Sequence, residues 1–324
     1  MSILSKTALF GSALAAALTM SATAISAAPY EAGDKITVII GYKPGGGSDR
    51  MAQLIQPYLS KAMNLKFVNQ YLPGASGAIA WTKVANMTRV DGYTICITNT
   101  PSIQTAYLLN KEITYNIRDF VPIANVVTDP GILVVGKDSP YKTFEDFLEA
   151  AKATPGKITV GNSGVGGDDH LSVLYLSSVT GANFRNIPFA GDGPSWTAAM
   201  GGKIDASSNN LGITYPQIKA GNLRALAIYA AERSSKLPDV PTLKELGFDL
   251  ENGSSRGFSA PKGFPEDKLE FLIEGFRKVL NDPEFLAEAE RQAQTIDPKL
   301  GNDYGKMLLD IEKLVLPLVD KMAK

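Results

Sequence analysis

KITVIIGYKPGGGSD, residues Lys35–Asp49, runs from an apolar segment into a glycine turn and then into a helical pattern. The segment KITVII is short, β-branched and apolar, which is typical of a buried strand. Two further strands are predicted at Leu65–Val68 and Tyr93–Thr98, with a glycine turn and a helix between them. This strand–helix–strand–helix–strand order predicts an α/β fold with a parallel sheet and helices on its faces.

The same pattern returns further along the chain. Residues Lys157–Asp168, KITVGNSGVGGD, again join a strand to a glycine-rich loop and an acidic residue. A second unit is expected to begin after about Asn125, and one of its helices is predicted to start at Thr143, with a capping box to Asp146. The repeat has two interpretations. It reflects two ordinary strand-to-helix turns, or two α/β domains that each direct a helix N-terminus at one cleft.

The N-terminus has the composition of a secretory signal. Lys6 precedes an uncharged apolar stretch, Thr7–Met20, and small residues follow as far as Ala28. This pattern predicts a signal peptide cleaved between Ala24 and Ala28. The apolar stretch is shorter than the roughly 20 residues that a membrane-spanning helix needs. We therefore expect an exported protein, and because Cys96 is its only cysteine, it forms no intramolecular disulfide.

Composition argues against several functions. The formal net charge of the 324 residues is −1, which disfavours nucleic acid as a partner. One His and one Cys are too few for a zinc site, and the chain lacks both EF-hand spacing and the glycine motifs of nucleotide-binding loops. No metal and no cofactor are predicted. With 44% hydrophobic residues, the chain is large enough for two domains or one large domain.

Glycine-rich turns that enter helices are the strongest candidates for a binding site. Their backbone N–H groups, together with the helix dipole, favour an anion such as a carboxylate. Several such helix starts around one ligand would bind it without Lys or Arg. The four candidates are Gly45–Asp49, Gly74–Ala78, Asn162–Asp169 and Gly191–Ser195.

A serine motif offers an alternative function. Gly253–Gly257, GSSRG, matches the G-x-S-x-G nucleophile elbow of α/β-hydrolases, with Ser255 as the nucleophile. The only His, His170, precedes Ser255, whereas in those hydrolases the His follows the serine, so the hydrolase interpretation is disfavoured. His170 also has a simpler role at a helix start, bonding to neighbouring carboxylates or backbone. Arg256 either holds a ligand carboxylate through two parallel hydrogen bonds or is structural.

Longer segments carry a family resemblance. In chain order they are ITVIIGYKPGGGSD, YLPGASGAIA, VDGYTICITNTPS, GNSGVGGDDHL, IPFAGDGPSW, GGKIDASSNN and RGFSAPKGFPEDKLE. With these segments the chain resembles the substrate-binding proteins of tripartite tricarboxylate transporters, the TctC or Bug family. The resemblance implies a type II-like periplasmic binding protein fold of two lobes, with two doubly wound domains joined by a hinge. It places residues 29–126 and 229–324 in lobe 1 and residues 127–228 in lobe 2, after a signal peptide over residues 1–28.

The same resemblance implies a function. Proteins of this family capture a small carboxylate between the lobes, namely a di- or tricarboxylate, an aromatic acid or an acidic amino acid. They deliver it to transmembrane transporter subunits. By this resemblance the chain is a periplasmic monomer and not an enzyme. A ligand-loaded sensor subunit for a membrane kinase is an alternative that uses the same cleft, and a secreted serine hydrolase is a third.

Family positions carried onto this sequence give the expected site. Ala78 stands where the family often has Asn, and Lys43 where it usually has a small uncharged residue, so the ligand cannot be copied from a relative. Asp168 and Asp169 also allow a ligand with an amino group. The expected ligand-binding residues are Tyr42, Gly46, Gly47, Ser48, Asp49, Gly74, Ala75, Ser76, Gly77, Ala78, Thr100, Ser102, Asn162, Ser163, Asp169, His170, Ala190, Gly191, Asp192, Asn209, Asn210 and Arg256.

Overall fold

The computed structural model describes residues 29–87 and 90–322, so the predicted signal peptide lies outside the described residues. The described strands are β1 Lys35–Ile40, β2 Lys66–Tyr71, β3 Thr94–Thr100, β4 Phe120–Gly136, β5 Thr159–Asn162, β6 Arg185–Pro188, β7 Ala206–Asn210, β8 Leu223–Tyr229, β9 Gly253–Pro261 and β10 Ile296–Leu300. The described α-helices are α1 Gly47–Met63, α2 Ala78–Ala85, α3 Ser102–Leu109, α4 Phe144–Ala153, α5 Asp168–Thr180, α6 Asp192–Met200, α7 Leu211–Lys219, α8 Glu266–Leu280, α9 Pro283–Arg291 and α10 Gly301–Met322. None of these helices is long and apolar enough to cross a membrane.

The first lobe is built on β1, β2, β3, β9, β10 and the first part of β4. β1 pairs in parallel with β2 and β3, as the strand order of the sequence predicts. β9 then enters antiparallel between β3 and β4. The core beneath this sheet is apolar and fully buried, and it includes Ile36, Val38, Ile55, Phe258 and Phe276.

The second lobe is built on β5, β6, β7, β8 and the last part of β4. β5 pairs in parallel with β6 and β7, while β7 and β8 both run antiparallel to β4. Its core includes Leu133, Phe147, Val160, Leu176 and Tyr229. The helix predicted at Thr143 is present as α4, and the Thr143–Asp146 capping box is confirmed.

β4 is shared by the two lobes. It is 17 residues long, which is why the sequence pattern of short strands did not reveal it as one element. Its residues from Phe120 to Pro130 pair with β9, and its residues from Gly131 to Gly136 pair with β8. The two sheets are therefore continuous through one strand, and their ends meet at Pro130 and Gly131.

The C-terminal helix α10 also contacts both lobes. Near its start, Tyr304 and Leu308 pack in a cluster with first-lobe side chains such as Trp81. About two to three turns later, Val315 packs against Leu171 of α5, in the second lobe. Any movement of the lobes relative to one another therefore changes the contacts of α10.

Candidate functional site

The glycine-rich loops of the two lobes meet at one place, which we call the interlobe site. It is formed by the four predicted loops together with the side chains of Asn210 and Arg256. Ser76 Oγ donates to the Val165 carbonyl across the lobes at 3.3 Å. Thr105 Oγ1, on α3, donates to the Gly166 carbonyl. The structure thus brings the second and third loops into contact, Arg256 and Asn210 connect the first loop to the third, and α6 begins directly after Gly191 of the fourth.

Four helix starts at this site carry no side-chain cap. The residues at the N-cap positions of α1, α2, α5 and α6 are all glycine, and none makes a side-chain capping bond. By contrast, α4 and α9 are capped by Thr143 and Asp282. Because the first N–H groups of a helix have no partner within it, these uncapped starts present donors to an anion. Anion binding at these helix starts, which the glycine pattern predicts, stays a prediction.

The first loop is held in shape by its own polar side chains. Asp49 Oδ2 accepts a hydrogen bond from the Gly45 N–H at 2.7 Å, and Asp49 Oδ1 accepts one from the Tyr71 hydroxyl at 2.6 Å. Ser48 Oγ pairs with the side chain of Asn99 at 3.0 Å. These two predicted site residues therefore position the backbone of the loop.

Tyr42 joins the first loop to the second. Its hydroxyl donates to the Ser76 carbonyl at 2.8 Å. Desolvation raises the pKa of this phenol, a neighbouring Ser102 hydroxyl lowers it, and the negative charge of Asp168 raises it further. Tyr42 is therefore neutral at physiological pH, and it lies close to residues of both lobes.

Arg256 lies at the centre of the site with 4% of its surface exposed. Its Nη2 donates to Asn210 Oδ1 at 2.7 Å, and its Nη1 lies 3.5 Å from Asp129 Oδ2. The guanidinium also packs against the start of α1, where a methyl group added at Gly47 would lie 2.7 Å from Arg256 Cζ. The structure therefore gives Arg256 two protein partners and explains why residue 47 is glycine.

Two buried carboxylates begin α5. Asp168 Oδ2 accepts a hydrogen bond from Asn210 Nδ2 at 2.7 Å. Burial raises the pKa of Asp168 to about 6, an increase that Arg256 opposes and Asp192 reinforces. Asp169 is only 1% exposed, and neither of its oxygens has a hydrogen-bond partner among the described residues. Its pKa lies well above the usual value, first because of burial and then because of the charges of Asp168 and Asp192.

Two predicted residues of the third loop stabilise the loop itself. His170 Nδ1 accepts a hydrogen bond from the Gly166 N–H at 3.2 Å, and burial lowers the pKa of its imidazole. Asn162 Oδ1 accepts one from the Gly164 N–H at 3.0 Å, while its Nδ2 donates to Asn186. Backbone bonding was the simpler role foreseen for His170.

Some predicted residues lie at the edge of the site or beyond it. Asn209 donates to Ser207 and Ser208 within its own strand, and β-strand alternation places its side chain opposite that of Asn210. Ala190 is exposed at the end of the loop before α6. Thr100 Oγ1 accepts a hydrogen bond from the Ser255 N–H and so joins β3 to β9.

Asp129 and Asn252 support the site, and the sequence patterns did not predict this. Asp129 pairs with Arg256 and also accepts the Gly212 N–H at 2.9 Å. Asn252 Nδ2 donates to the Asp168 carbonyl and to Ser172 Oγ, both at 2.9 Å. The only local signal at Asp129 was the Asp-Pro-Gly tripeptide, which is typical of a turn.

The serine motif does not form a nucleophile elbow. That elbow is a sharp turn between a strand and a helix. Ser255 instead lies within β9, paired on one side with Thr100 of β3 and on the other with Thr128 of β4. Its hydroxyl is 2.9 Å from Thr128 Oγ1. Within residues 29–87 and 90–322, no group of three or more His, Cys, Asp or Glu side chains could hold a metal ion.

Two α/β lobes that share a strand and meet at glycine-started helices define the class of two-lobed solute-binding proteins. Comparison with known families agrees. The model of the tripartite tricarboxylate transporter family receptor, TctC, matches residues 51–314, and the chain belongs to this family. The resemblance seen in the sequence is thereby confirmed.

Individual relatives support the same assignment. BugT of Bordetella pertussis is 32% identical over 250 residues, which cover 75% of this chain and 76% of BugT. A TctC solute-binding protein from Polaromonas, solved without ligand, is 30% identical, covers 89% of this chain and 98% of its own, and has a TM-score of 0.71. A Rhodopseudomonas palustris protein solved with adipate is 27% identical, covers 90% and 97%, and has a TM-score of 0.83.

Proposed function

We propose that this protein is a periplasmic solute-binding protein that captures a small carboxylate at the interlobe site and delivers it to a tripartite tricarboxylate-type transporter. The observation that carries the proposal is the convergence of four uncapped, glycine-started helices. Each such helix start contributes about 0.3–1 kcal/mol to anion binding, and up to about 2 kcal/mol when partly buried. The related protein solved with adipate supports a carboxylate as ligand.

In this proposal, the two lobes of the mature chain close on the ligand. The signal peptide is removed between Ala24 and Ala28, and the mature chain acts as a monomer with no catalytic role. The two lobes move against each other about the segments that connect them, which lie near Pro130 in β4 and between the end of β8 at Tyr229 and the start of β9 at Gly253. A ligand that contacts both lobes binds the closed form better, so it shifts the population towards closure. The contacts of α10 with both lobes change in the same step.

A thermal-shift screen of the mature protein tests the ligand class. The panel contains di- and tricarboxylates, aromatic acids and amino acids, with neutral sugars as controls. Ligand at 100 times its dissociation constant adds about 2.7 kcal/mol of stability, which raises the unfolding temperature by several degrees at about 2–4 °C per kcal/mol. A protein that no carboxylate stabilises would contradict the proposal.

Two glycines give a pair of variants for locating the site. Gly47→Ala places a methyl group 2.7 Å from the Arg256 guanidinium, so we expect it to displace that side chain or the start of α1 and to abolish the thermal shift. Gly201→Ala, at the far end of α6, meets the Thr197 carbonyl at 3.4 Å, an ordinary contact, and it should keep the shift. Equal shifts in both variants would place the ligand elsewhere.

The partner is tested separately. Uptake of the ligand in vesicles that contain the transmembrane transporter subunits should depend on this protein. Binding to the outer domain of a membrane kinase, without any support of uptake, would favour the sensor-subunit alternative.

A further inference from the structure

The interlobe site contains more negative than positive side chains. Arg256 and the partly buried Arg50 are its cations, and both lie near Asp129. Asp168 and Asp169 add two further buried carboxylates. Since Asp129 and Asn210 already occupy Arg256, no cation of the described residues pairs with Asp169.

Asp169 differs from the other carboxylates of the site. Asp49, Asp129 and Asp168 each accept at least one hydrogen bond from a named donor. Asp169 is equally buried, yet no donor among the described residues reaches either of its oxygens. An ionised carboxylate that is buried without a partner destabilises a protein by several kcal/mol. Ionised Asp169 therefore destabilises the folded state unless a ligand or a proton neutralises its charge.

The surroundings of Asp169 belong to the binding loops. The Ser163 hydroxyl, of the third loop, is near enough to lower the pKa of Asp169 but lies outside hydrogen-bond geometry. Asp192, of the fourth loop, raises the same pKa. Asp169 thus lies beside the third loop, and the charge of Asp192, at the start of α6, acts on it.

The positive charge that would pair with these carboxylates belongs to an organic ligand. The described residues provide no cluster of three ligands for a metal ion. A protonated amino group supplies three N–H donors and one positive charge, which suits a buried carboxylate whose two oxygens have no donor. The uncapped helix starts of the first lobe remain for the carboxylate of the same ligand.

We propose that the ligand carries a protonated amino group as well as a carboxylate, and that the buried carboxylate of Asp169 binds the amino group. The substrate class is therefore amino acids rather than simple dicarboxylates. This inference rests on the proposed function, because it assigns one end of the ligand at the same site.

Paired compounds that differ only in an amino group test the inference. Succinate is compared with aspartate, glutarate with glutamate, adipate with 2-aminoadipate, and 3-phenylpropionate with phenylalanine, by titration calorimetry on the wild-type protein. In the pair that binds, we expect the compound with the amino group to have an affinity at least about tenfold higher than the plain acid, which corresponds to about 1.4 kcal/mol. Equal or tighter binding of the acid without the amino group would overturn the inference and leave the proposed function standing. Binding by no member of any pair would overturn both.

Asp169→Asn provides the second measurement. The amide keeps the shape of the side chain and removes its charge, so the amino member should lose at least about tenfold in affinity, and its advantage over the plain acid should disappear. Asp138→Asn, on the turn after β4, is the matched control, and it should leave both affinities unchanged. An amino-group preference that persists in Asp169→Asn would overturn the assignment to Asp169. If that variant does not fold, the paired titrations on the wild-type protein still decide the inference.

Discussion

Arg256→Met is the most informative test of how the site is built. The guanidinium has 5% of its side-chain surface exposed, and the Asp129 side chain beside it has 3% exposed. Methionine fills much of the same volume but provides no charge and no N–H donor. The substitution therefore leaves Asp129 buried without its ion-pair partner, with only the partly buried Arg50 nearby, and Asn210 Oδ1 without its donor.

The expected loss of stability follows from that geometry. Removing one partner of a buried ion pair costs about 3–5 kcal/mol, because the remaining charge is buried without compensation. For urea unfolding with a slope of about 3 kcal/mol per molar, the midpoint should fall by about 1–1.7 M. Circular dichroism at 222 nm measures this unfolding midpoint, because the signal at that wavelength comes mainly from the helices.

Two further variants separate this cause from a general effect of losing an arginine. Arg277→Met breaks an exposed pair with Glu274 on α8 and should cost less than about 1 kcal/mol. Adding Asp129→Asn to Arg256→Met removes the stranded charge, and the amide oxygen still accepts the Gly212 N–H, so the double variant should recover most of the loss. Equal costs for Arg256→Met and Arg277→Met, or no recovery in the double variant, would refute the reasoning.

Two other outcomes are expected. Because burial raises the pKa of Asp168 to about 6 from 3.8 in the unfolded chain, the folded state is favoured by its bound proton below pH 4. That contribution to the free energy of unfolding, at most roughly 3 kcal/mol, is lost as the pH rises to 6. Calorimetry of the unliganded protein should therefore show that stability falls less between pH 4 and pH 6 in Asp168→Asn than in the wild type. An equal fall in both proteins would contradict this. Thr143→Ala removes the cap of α4 and should cost about 0.5–2 kcal/mol in urea unfolding, whereas a neutral result would mean that the cap is dispensable.

Local patterns predicted the parts of the fold that depend on neighbouring residues. The parallel pairing of β1 with β2 and β3 follows from strand–helix alternation, and the capping box at Thr143 follows from two side chains three positions apart. The glycine loops were found for the same reason. In each loop, neighbouring glycines both form the turn and leave the next helix without a side-chain cap, so one short segment is enough to predict them.

Contacts between distant segments could not be predicted in this way. No periodicity indicates that β9 inserts between β3 and β4, or that a single strand continues through Pro130 into the second sheet. The partner of Arg256 was missed because Asp129 lies far from it in sequence. The serine motif was misleading because it is purely local. Its five residues match the G-x-S-x-G pattern, but they lie within a strand and do not form the strand-to-helix turn that the pattern requires.

The insertion of β9 sets an order of events for the folding of the chain. Thr128 of β4 and Ser255 of β9 touch although they are 127 residues apart. Until the later segment arrives, β3 and β4 have no strand between them, and both present open edges. Closing so long a loop is slow, because its entropic cost precedes any gain from pairing. The first lobe can therefore complete its sheet only after the whole second lobe has been synthesised, and a chain interrupted before residue 253 would remain open to aggregation.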